Sequence, residues 1–355
     1  MNPNRIQKIQ TILTERKIDA LLVSSSINIR YITGYSGFMS EERDAYIFVT
    51  KKYAILFTNT LYFDEVKKSV KDPIKVFLIT QLQKTLEEFL KHEKITNIGF
   101  EENLTYSEYI RFKKLIGVKL KLAESIIEEI RTIKDQTELK SLHKACNLTD
   151  SALDYVLKKI RNGITELELA WEIEKFIHEH GGELGFPSII AFGKNSAIPH
   201  HKTDETKLKS SSIVLLDFGA KAGGYCADMT RTVFFGKAPE KFKRMYETVR
   251  IGQEKGFKPK MFTPQDLDKI PRDYIISQGY PNIPHSVGHG VGLAVHELPH
   301  ISPGIKEKIN PNTPFTIEPG IYINGFGGVR IEDTVYFDGE KINLLTQSPK
   351  NLIEL

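Results

Sequence analysis

Cysteine is almost absent from this chain. Two thiols, Cys146 and Cys226, in 355 residues cannot build a disulfide framework, and so few suit a reducing compartment. Long apolar runs are missing as well. No stretch approaches the roughly 18 apolar residues that cross a bilayer. The opening Met1-Asn2-Pro3-Asn4-Arg5 leads into mixed polar sequence, not the apolar core of a secretory leader. Blocks of one charge sign are also lacking. Lys and Arg number 49 against 45 Asp and Glu, a net charge of +4 spread along the chain, which argues against a concentrated nucleic-acid-binding face. These absences predict a cytoplasmic protein with neither a membrane nor a nucleic acid as partner.

What is present is ordinary for a soluble globular protein: 40% hydrophobic and 26% charged residues. The length predicts two domains, each able to bury a core. Residues 1–125 read as α/β. Ile6, Ile9 and Leu13 form a helical stripe, and Ala20–Val23, Ala45–Val49, Ala54–Phe57 and Asn97–Phe100 read as strands. Leu82, Leu86 and Phe89 suggest another helix. Nothing in this part gathers His, Cys or paired acids, so it reads as a packing, dimerisation or site-covering domain. A boundary falls near Glu124-Ser125, which leaves 126–355 as the second domain. A long helix is expected from Asp135 to Ile160. A second follows Gly163, where Thr165 and Glu168 fit a capping box. From Ile189 onward the chain reads as strands, interrupted by a helix near Lys241–Gly256. Helices followed by strands give an α+β class.

Five side chains in the second part carry the chemistry: Asp217, Asp228, His289, Glu318 and Glu332. Each lies in a short segment that reads as a strand or a Gly/Pro turn. Taken singly, an Asp at a strand end is a turn former and a Glu is solvated. Taken together, four carboxylates and an imidazole are costly to bury unless something balances them. Two divalent cations would balance the four negative charges and leave a neutral imidazole as fifth ligand. The arithmetic points to a dinuclear hydrolase site.

The local context repeats itself. The run Ile213–Leu216 is stopped by Asp217-Phe218-Gly219, and after Gly223-Gly224 a strand beginning near Tyr225 carries Asp228. The Gly-Gly pair suggests a hairpin that sets the two Asp side chains across from each other. Later, Phe315–Glu318 is stopped by Pro319-Gly320, and after Gly325–Gly328 the chain resumes through Val329 to Glu332. Two similar hairpins hint at a pseudo-symmetric domain around one site. Cys226, two residues before Asp228, would share its strand face but reads as a packing residue. Trp171 and His178 read as packing and surface.

One rival motif is spelled in full. His296-Glu297-Leu298-Pro299-His300 matches the HExxH of mononuclear zinc proteases, which works only on a helix. Pro299 would break that helix. The nearby glycines do not spell GxGxxG either, so a dinucleotide turn is not supported.

The run His285-Ser286-Val287-Gly288-His289-Gly290-Val291-Gly292-Leu293, continuing into His296-Glu297-Leu298-Pro299, carries a family resemblance. With Glu318-Pro319-Gly320-Ile321-Tyr322 and Gly328–Asp333, it resembles the proline-specific metallopeptidases of the pita-bread fold, the aminopeptidases P and prolidases. The resemblance implies a C-terminal pita-bread (creatinase/aminopeptidase-like) domain, a curved antiparallel sheet backed by helices, behind a smaller N-terminal domain. It implies a homodimer that cleaves Xaa-Pro bonds in proline-containing peptides. It also implies two divalent cations, with Mn2+ the family-based choice and Co2+, Fe2+ or Zn2+ compatible with the ligands.

Carried over by resemblance, Asp217 holds one metal alone, Asp228 and Glu332 bridge both, and His289 and Glu318 complete the second. Glu318 also carries the proton from the nucleophile to the leaving proline nitrogen. His200 matches a position that stabilises the tetrahedral intermediate, and His296 one that contacts the scissile peptide. His285 and Arg330 line the substrate pocket, and Tyr322 would supply an apolar wall for the proline ring. For His201 and His285 taken alone, a structural hydrogen-bonding role stands beside a catalytic one. At His300, related short microbial prolidases carry an Arg that binds the free carboxylate of a dipeptide. Imidazole lacks that bidentate fork, so the resemblance favours an aminopeptidase accepting longer peptides over the alternative, an Xaa-Pro dipeptidase. Remoter alternatives are a methionine aminopeptidase and a catalytically silent peptide-binding protein.

Overall fold

The run Ala20–Val23 is apolar at every position, and all four residues are buried. A strand with no solvent face must lie inside a covered sheet. In a computed structural model, which describes residues 4–39 and 42–355, it does. Strands β1 (Ala20–Val23), β2 (Ala45–Thr50), β3 (Ala54–Thr58), β4 (Ile74–Leu78), β5 (Asn97–Phe100) and β6 (Lys119–Leu122) form one sheet in the order β4-β3-β2-β1-β5-β6. β1 is central, antiparallel to β2 and parallel to β5. Helices α1 (Asn4–Glu15), α2 (Ser26–Thr33), α3 (Phe63–Ser69), α4 (Leu82–His92) and α5 (Tyr106–Ile116) complete this α/β unit. Ile6, Ile9 and Leu13 are the buried stripe of α1. Met1–Pro3, part of the opening segment discussed above, lies outside the described residues.

The chain divides into two units between Arg131 and Thr132, later than the boundary read near Glu124-Ser125. Helix α6 (Ile126–Thr132) accounts for the difference. Its Arg131 donates to Asn28 Oδ1, its Glu128 accepts from Asn28 Nδ2, and its Glu129 pairs with Arg16. Those bonds bind α6 to the first unit.

The second unit opens with α7 (Gln136–Leu157) and α8 (Glu166–Glu179). Asp135 caps α7, accepting from the backbone N–H of Thr137 and Glu138. Thr165 caps α8 in the expected box with Glu168. There follow β7 (Glu183–Leu184), β8 (Ile189–Phe192), β9 (Ser212–Phe218), β10 (Ala220–Ala222), β11 (Tyr225–Cys226) and β12 (Met229–Phe235). Next come α9 (Glu240–Gly256) and α10 (Pro264–Ser277). The chain closes with β13 (Gly288–Gly290), β14 (Glu297–Ile301), β15 (Thr313–Ile317), β16 (Gly320–Ile323), β17 (Gly327–Arg330), β18 (Asp333–Phe337) and β19 (Ile342–Leu344). The paired strands of this unit run antiparallel to one another.

Two cores sit behind two sets of strands. Leu153, Leu169, Ile173 and Ile177 of α7 and α8 pack on Ile190, Val214, Leu216 and Val233. Phe242, Val249, Leu267 and Ile275 of α9 and α10 pack on Phe315, Ile317, Val329 and Val335. Each half is a helix pair backing a nested hairpin: β9 with β12 around β10–β11, and β15 with β18 around β16–β17. This is the helix-backed α+β layout that the resemblance implies.

Candidate active site

In both halves the carboxylates occur where the outer hairpin strands give way to the inner ones. Asp217 is next to last in β9, and Asp228 precedes β12 by one residue. Glu318 follows β15 by one residue, and Glu332 precedes β18 by one. Gly223 and Gly224 make the inner turn with φ of 58° and 87°, a doubly left-handed turn that glycine adopts without penalty.

One expectation changes here. No continuous strand runs from Tyr225 to Asp228: β11 ends at Cys226, and β12 starts at Met229. The Ala227 carbonyl lies so close to Gly219 that a Cβ there would collide with it. Cys226 Sγ lies 3.9 Å from the Leu293 carbonyl oxygen, and Cys226 belongs to none of the groupings of ligand atoms described below.

The five side chains converge. Ligand atoms of Asp217, Asp228 and Glu332 lie within 4.8 Å of one another, as do those of His289, Glu318 and Glu332. His289 Nε2 is 3.4 Å from both Asp228 Oδ2 and Glu318 Oε1. A third grouping within the same distance brings His296 to Asp228 and His289, the two rings meeting edge to face with centroids 4.3 Å apart. Asp217 Oδ1 and Asp228 Oδ1 are buried with no hydrogen-bond partner. A buried carboxylate oxygen without a donor is expensive, and a hard divalent cation is the partner that fits it. By that test the residues suit a metal pair.

The electrostatics agree. Burial, then repulsion from Glu332 and Asp217, pushes the Asp228 pKa well up. Burial and Glu332 do the same to Glu318. Glu332 is raised to about 8 by burial and then by Asp217. Cations would reverse each of these shifts. Burial, with the neighbouring His296 next, depresses His289 to about 3, so its imidazole is neutral and able to ligate. The cluster also contains its own cation. Arg330, 3% exposed, donates through Nη2 to Asp217 Oδ2. With Arg330 counted, two divalent ions leave the cluster one positive charge in excess, which suits an anionic ligand.

A cavity of about 1270 Å³ opens over the cluster. Besides the five residues it is lined by His200, His285, His296, His300 and Arg330. Tyr322 is not among the lining residues. Its hydroxyl bonds His285 Nε2 and Arg330 Nη1, each at 2.9 Å, so it braces two residues that do line the cavity. Burial holds His285 neutral, its pKa lowered to about 4. The HExxH spelling falls on a strand, since β14 spans Glu297–Ile301. Its two histidines therefore cannot share a helical face.

Several residues that hold the cluster gave no signal in the sequence. Thr230 donates to Glu332 Oε2 at 2.6 Å. Gln253 of α9 donates to the carbonyls of Ile317 and Ile331 and to Asp333 Oδ2, linking the residue before Glu318 to the residues on either side of Glu332. Burial works to raise Asp333, but Arg231 and Lys350 more than offset it and keep the carboxylate charged. Lys134 meets Glu297 at 2.6 Å in a buried pair beside His296. Such partners are scattered in sequence, and no periodicity marks them.

Known proteins share this architecture along the whole chain. The sequence matches the description Metallopeptidase family M24 over residues 140–338 and Creatinase/Prolidase N-terminal domain over residues 5–133. It is 35% identical to an Xaa-Pro dipeptidase of Pyrococcus horikoshii, covering 98% of each chain. An Xaa-Pro dipeptidase from Bacillus anthracis superposes with a TM-score of 0.93 at 33% identity, covering 99% of each chain. An X-Pro aminopeptidase from Thermotoga maritima superposes at 0.88 with 29% identity, again covering 99% of each. The chain therefore belongs to metallopeptidase family M24, with a creatinase/prolidase-type N-terminal domain ahead of its catalytic one.

Proposed function

We propose that this protein is an Xaa-Pro peptidase that removes the residue preceding a proline from the N-terminus of a peptide. The observation that carries the reading is the convergence of four carboxylates and His289 beneath one cavity, two of their buried oxygens lacking any donor. Asp217, Asp228, His289, Glu318 and Glu332 would hold two divalent cations, which would acidify a water and polarise the scissile carbonyl. Mn2+ is our choice of metal on the strength of the resemblance; the carboxylate oxygens suit it, and the imidazole also admits Co2+, Fe2+ or Zn2+.

The protein's own groups do the rest. Glu318 takes a proton from the attacking water and returns it to the proline nitrogen. An amide nitrogen leaves as an amine only once protonated, so this proton delivery completes the cleavage. His200 and His296 face the cavity, where they steady the negative charge that develops on the carbonyl oxygen. The hydrogen-bonded series His285–Tyr322–Arg330–Asp217 fixes Asp217 from behind.

Peptide length follows from the cations on offer. The fixed cations among the lining residues are Arg330, whose guanidinium is committed to Asp217 and Tyr322, and Lys202, whose ammonium has no bidentate fork. No second fork stands ready for a dipeptide carboxylate, and the cavity has room for more than two residues. We therefore read an aminopeptidase acting on longer peptides. The second reading, an Xaa-Pro dipeptidase, is favoured by the names of the Pyrococcus and Bacillus relatives.

Turnover of Ala-Pro-Ala against Ala-Pro, with Mn2+ and with chelator, separates the two readings. Faster cleavage of the tripeptide is expected, and cleavage of the dipeptide alone would reverse the assignment. Asp228→Ala should lower kcat at least ~1000-fold, as for removal of a metal ligand or oxyanion-stabilising group, and should reduce bound metal in elemental analysis. Cleavage at the wild-type rate would end the proposal.

We also assign the protein to the cytoplasm. Two cysteines in 355 residues suit a reducing compartment, and among the described residues no helix is long and apolar enough to cross a membrane. A homodimer rests on the resemblance and is read by light scattering.

A further inference from the structure

We propose that Glu166 is a positioning residue for the reaction, fixing His200 at the cavity through its chain neighbour His201. The claim rests on the peptidase reading given above.

Glu166 is the first residue of α8, and it is fully buried. Its Oε1 accepts from the backbone N–H of Phe192 at 2.8 Å and from Asn195 Nδ2 at 2.9 Å. Its Oε2 meets His201 Nε2 at 2.7 Å and the Asp204 N–H at 3.1 Å. Four partners use the full acceptor capacity of a carboxylate. One side chain thus fastens the last residue of β8, the turn that follows it and both ends of the segment 201–204. The Pro199-His200 stretch is held on its other side by the hairpin that leads to Glu332. Arg330 Nη1 donates to the Pro199 carbonyl at 3.2 Å, and the Gly328 N–H donates to Ser196 Oγ at 2.8 Å.

His200 itself is exposed to the cavity, while His201 is 9% exposed and turned toward Glu166. Both residues line the cavity, but the Nε2 of His201 is taken by Glu166, so one imidazole of the pair is anchored beside the other. An exposed imidazole on a loop has no fixed position of its own. Here the position comes from the buried pair behind it. Glu166, His201 and Asp204 also offer ligand atoms within 4.8 Å of one another. The Glu166 oxygens, however, are already spent on N–H donors, so the group reads as a clamp and not as a metal site.

The deciding variant is Glu166→Gln. The amide keeps one acceptor oxygen for Phe192 and Asn195 but turns an N–H toward the Asp204 N–H, which releases His201. We expect kcat on Ala-Pro-Ala to fall roughly 10- to 100-fold, the cost of a displaced catalytic group. KM should stay within about twofold, and bound metal should be unchanged. The His200 ring resonances in 15N-histidine-labelled protein, assigned with His200→Gln, should shift while those of His289 stay in place. His201→Gln should shift the same resonances and decides the matter should Glu166→Gln fail to fold. A folded Glu166→Gln variant with wild-type kcat and unmoved His200 resonances would overturn the proposal, as would a kcat loss that merely follows loss of metal. If the wild-type protein cleaves no Xaa-Pro peptide, the functional reading alone fails. The His200 resonances then still decide the positioning claim, a shift upholding it and no shift refuting it.

Discussion

Glu332 is 2% exposed and shares its surroundings with three other carboxylates. Without metal the folded chain relieves that repulsion by keeping protons, and Glu332 is the clearest case, with a pKa of about 8 against an ordinary 4.5. Between those two values the folded state holds a proton that the unfolded state has released. Stability of the metal-free protein must therefore fall as pH rises through that window. The melting temperature in chelator should decline from about pH 5 to about pH 8, and saturating Mn2+ should flatten the decline and release protons. Calorimetry at several pH values checks this, and a level metal-free profile would refute it. At this scale the clustering of the five side chains is legible, because acids beside Gly and Pro in apolar strands are out of place. Their supports are not: a threonine such as Thr230 or a glutamine such as Gln253 looks the same in sequence whether it is solvated or buried.

Among the elements, the nested hairpins put the acids in reach of one another, and close backbone approach is what lets them nest. Gly219 is such a point. A methyl group there would meet the Ala227 carbonyl and part the segments that carry Asp217 and Asp228. Gly219→Ala should cost about 1–3 kcal/mol of stability, the usual penalty for overpacking, and should weaken metal binding more than Gly304→Ala. Gly304 has open space around it, though its φ of +90° gives that control a backbone strain of its own. Denaturant melts and metal titrations of both variants measure the difference; equal metal affinity would show that the hairpins tolerate separation. The hairpins themselves could be read from Asp-Phe-Gly, Gly-Gly and Glu-Pro-Gly. Helix α10 is hard to read in the sequence, because Pro264 and Pro271 each discourage a helix interior. In the fold Thr263 is its N-cap, Pro264 opens the first turn and Pro271 lies inside, so the cap was the informative signal. The break at Ala227-Asp228 also escaped, since nothing in the run Tyr225–Thr230 distinguishes one strand from two.

For the molecule as a whole, every residue lining the cavity belongs to the unit that begins at Thr132. Metal should therefore stabilise that unit directly, by the mass-action gain of a ligand bound only to the folded state, about 4 kcal/mol at 1,000 times its Kd. Amide hydrogen exchange in α7–α10 and the site strands should slow on adding Mn2+. Slowing restricted to residues before 132 would contradict the assignment of the site. The two-domain plan was legible from length and from the shift in motif content. The division point was not, because α6 carries no composition change and declares its allegiance only through Asn28 and Arg16.

Gln253 gives the molecule a gauge. Its amide nitrogen grips the carbonyls of Ile317, at the end of β15, and Ile331, between β17 and β18, each next to a glutamate of the cluster. The gap between those glutamates is thereby referred to a helix on the far side of the sheet, and not to whatever ion lies between them. Cations of unequal radius would all meet the same opening, and discrimination among them would begin from a ruler that the protein reads before any metal arrives.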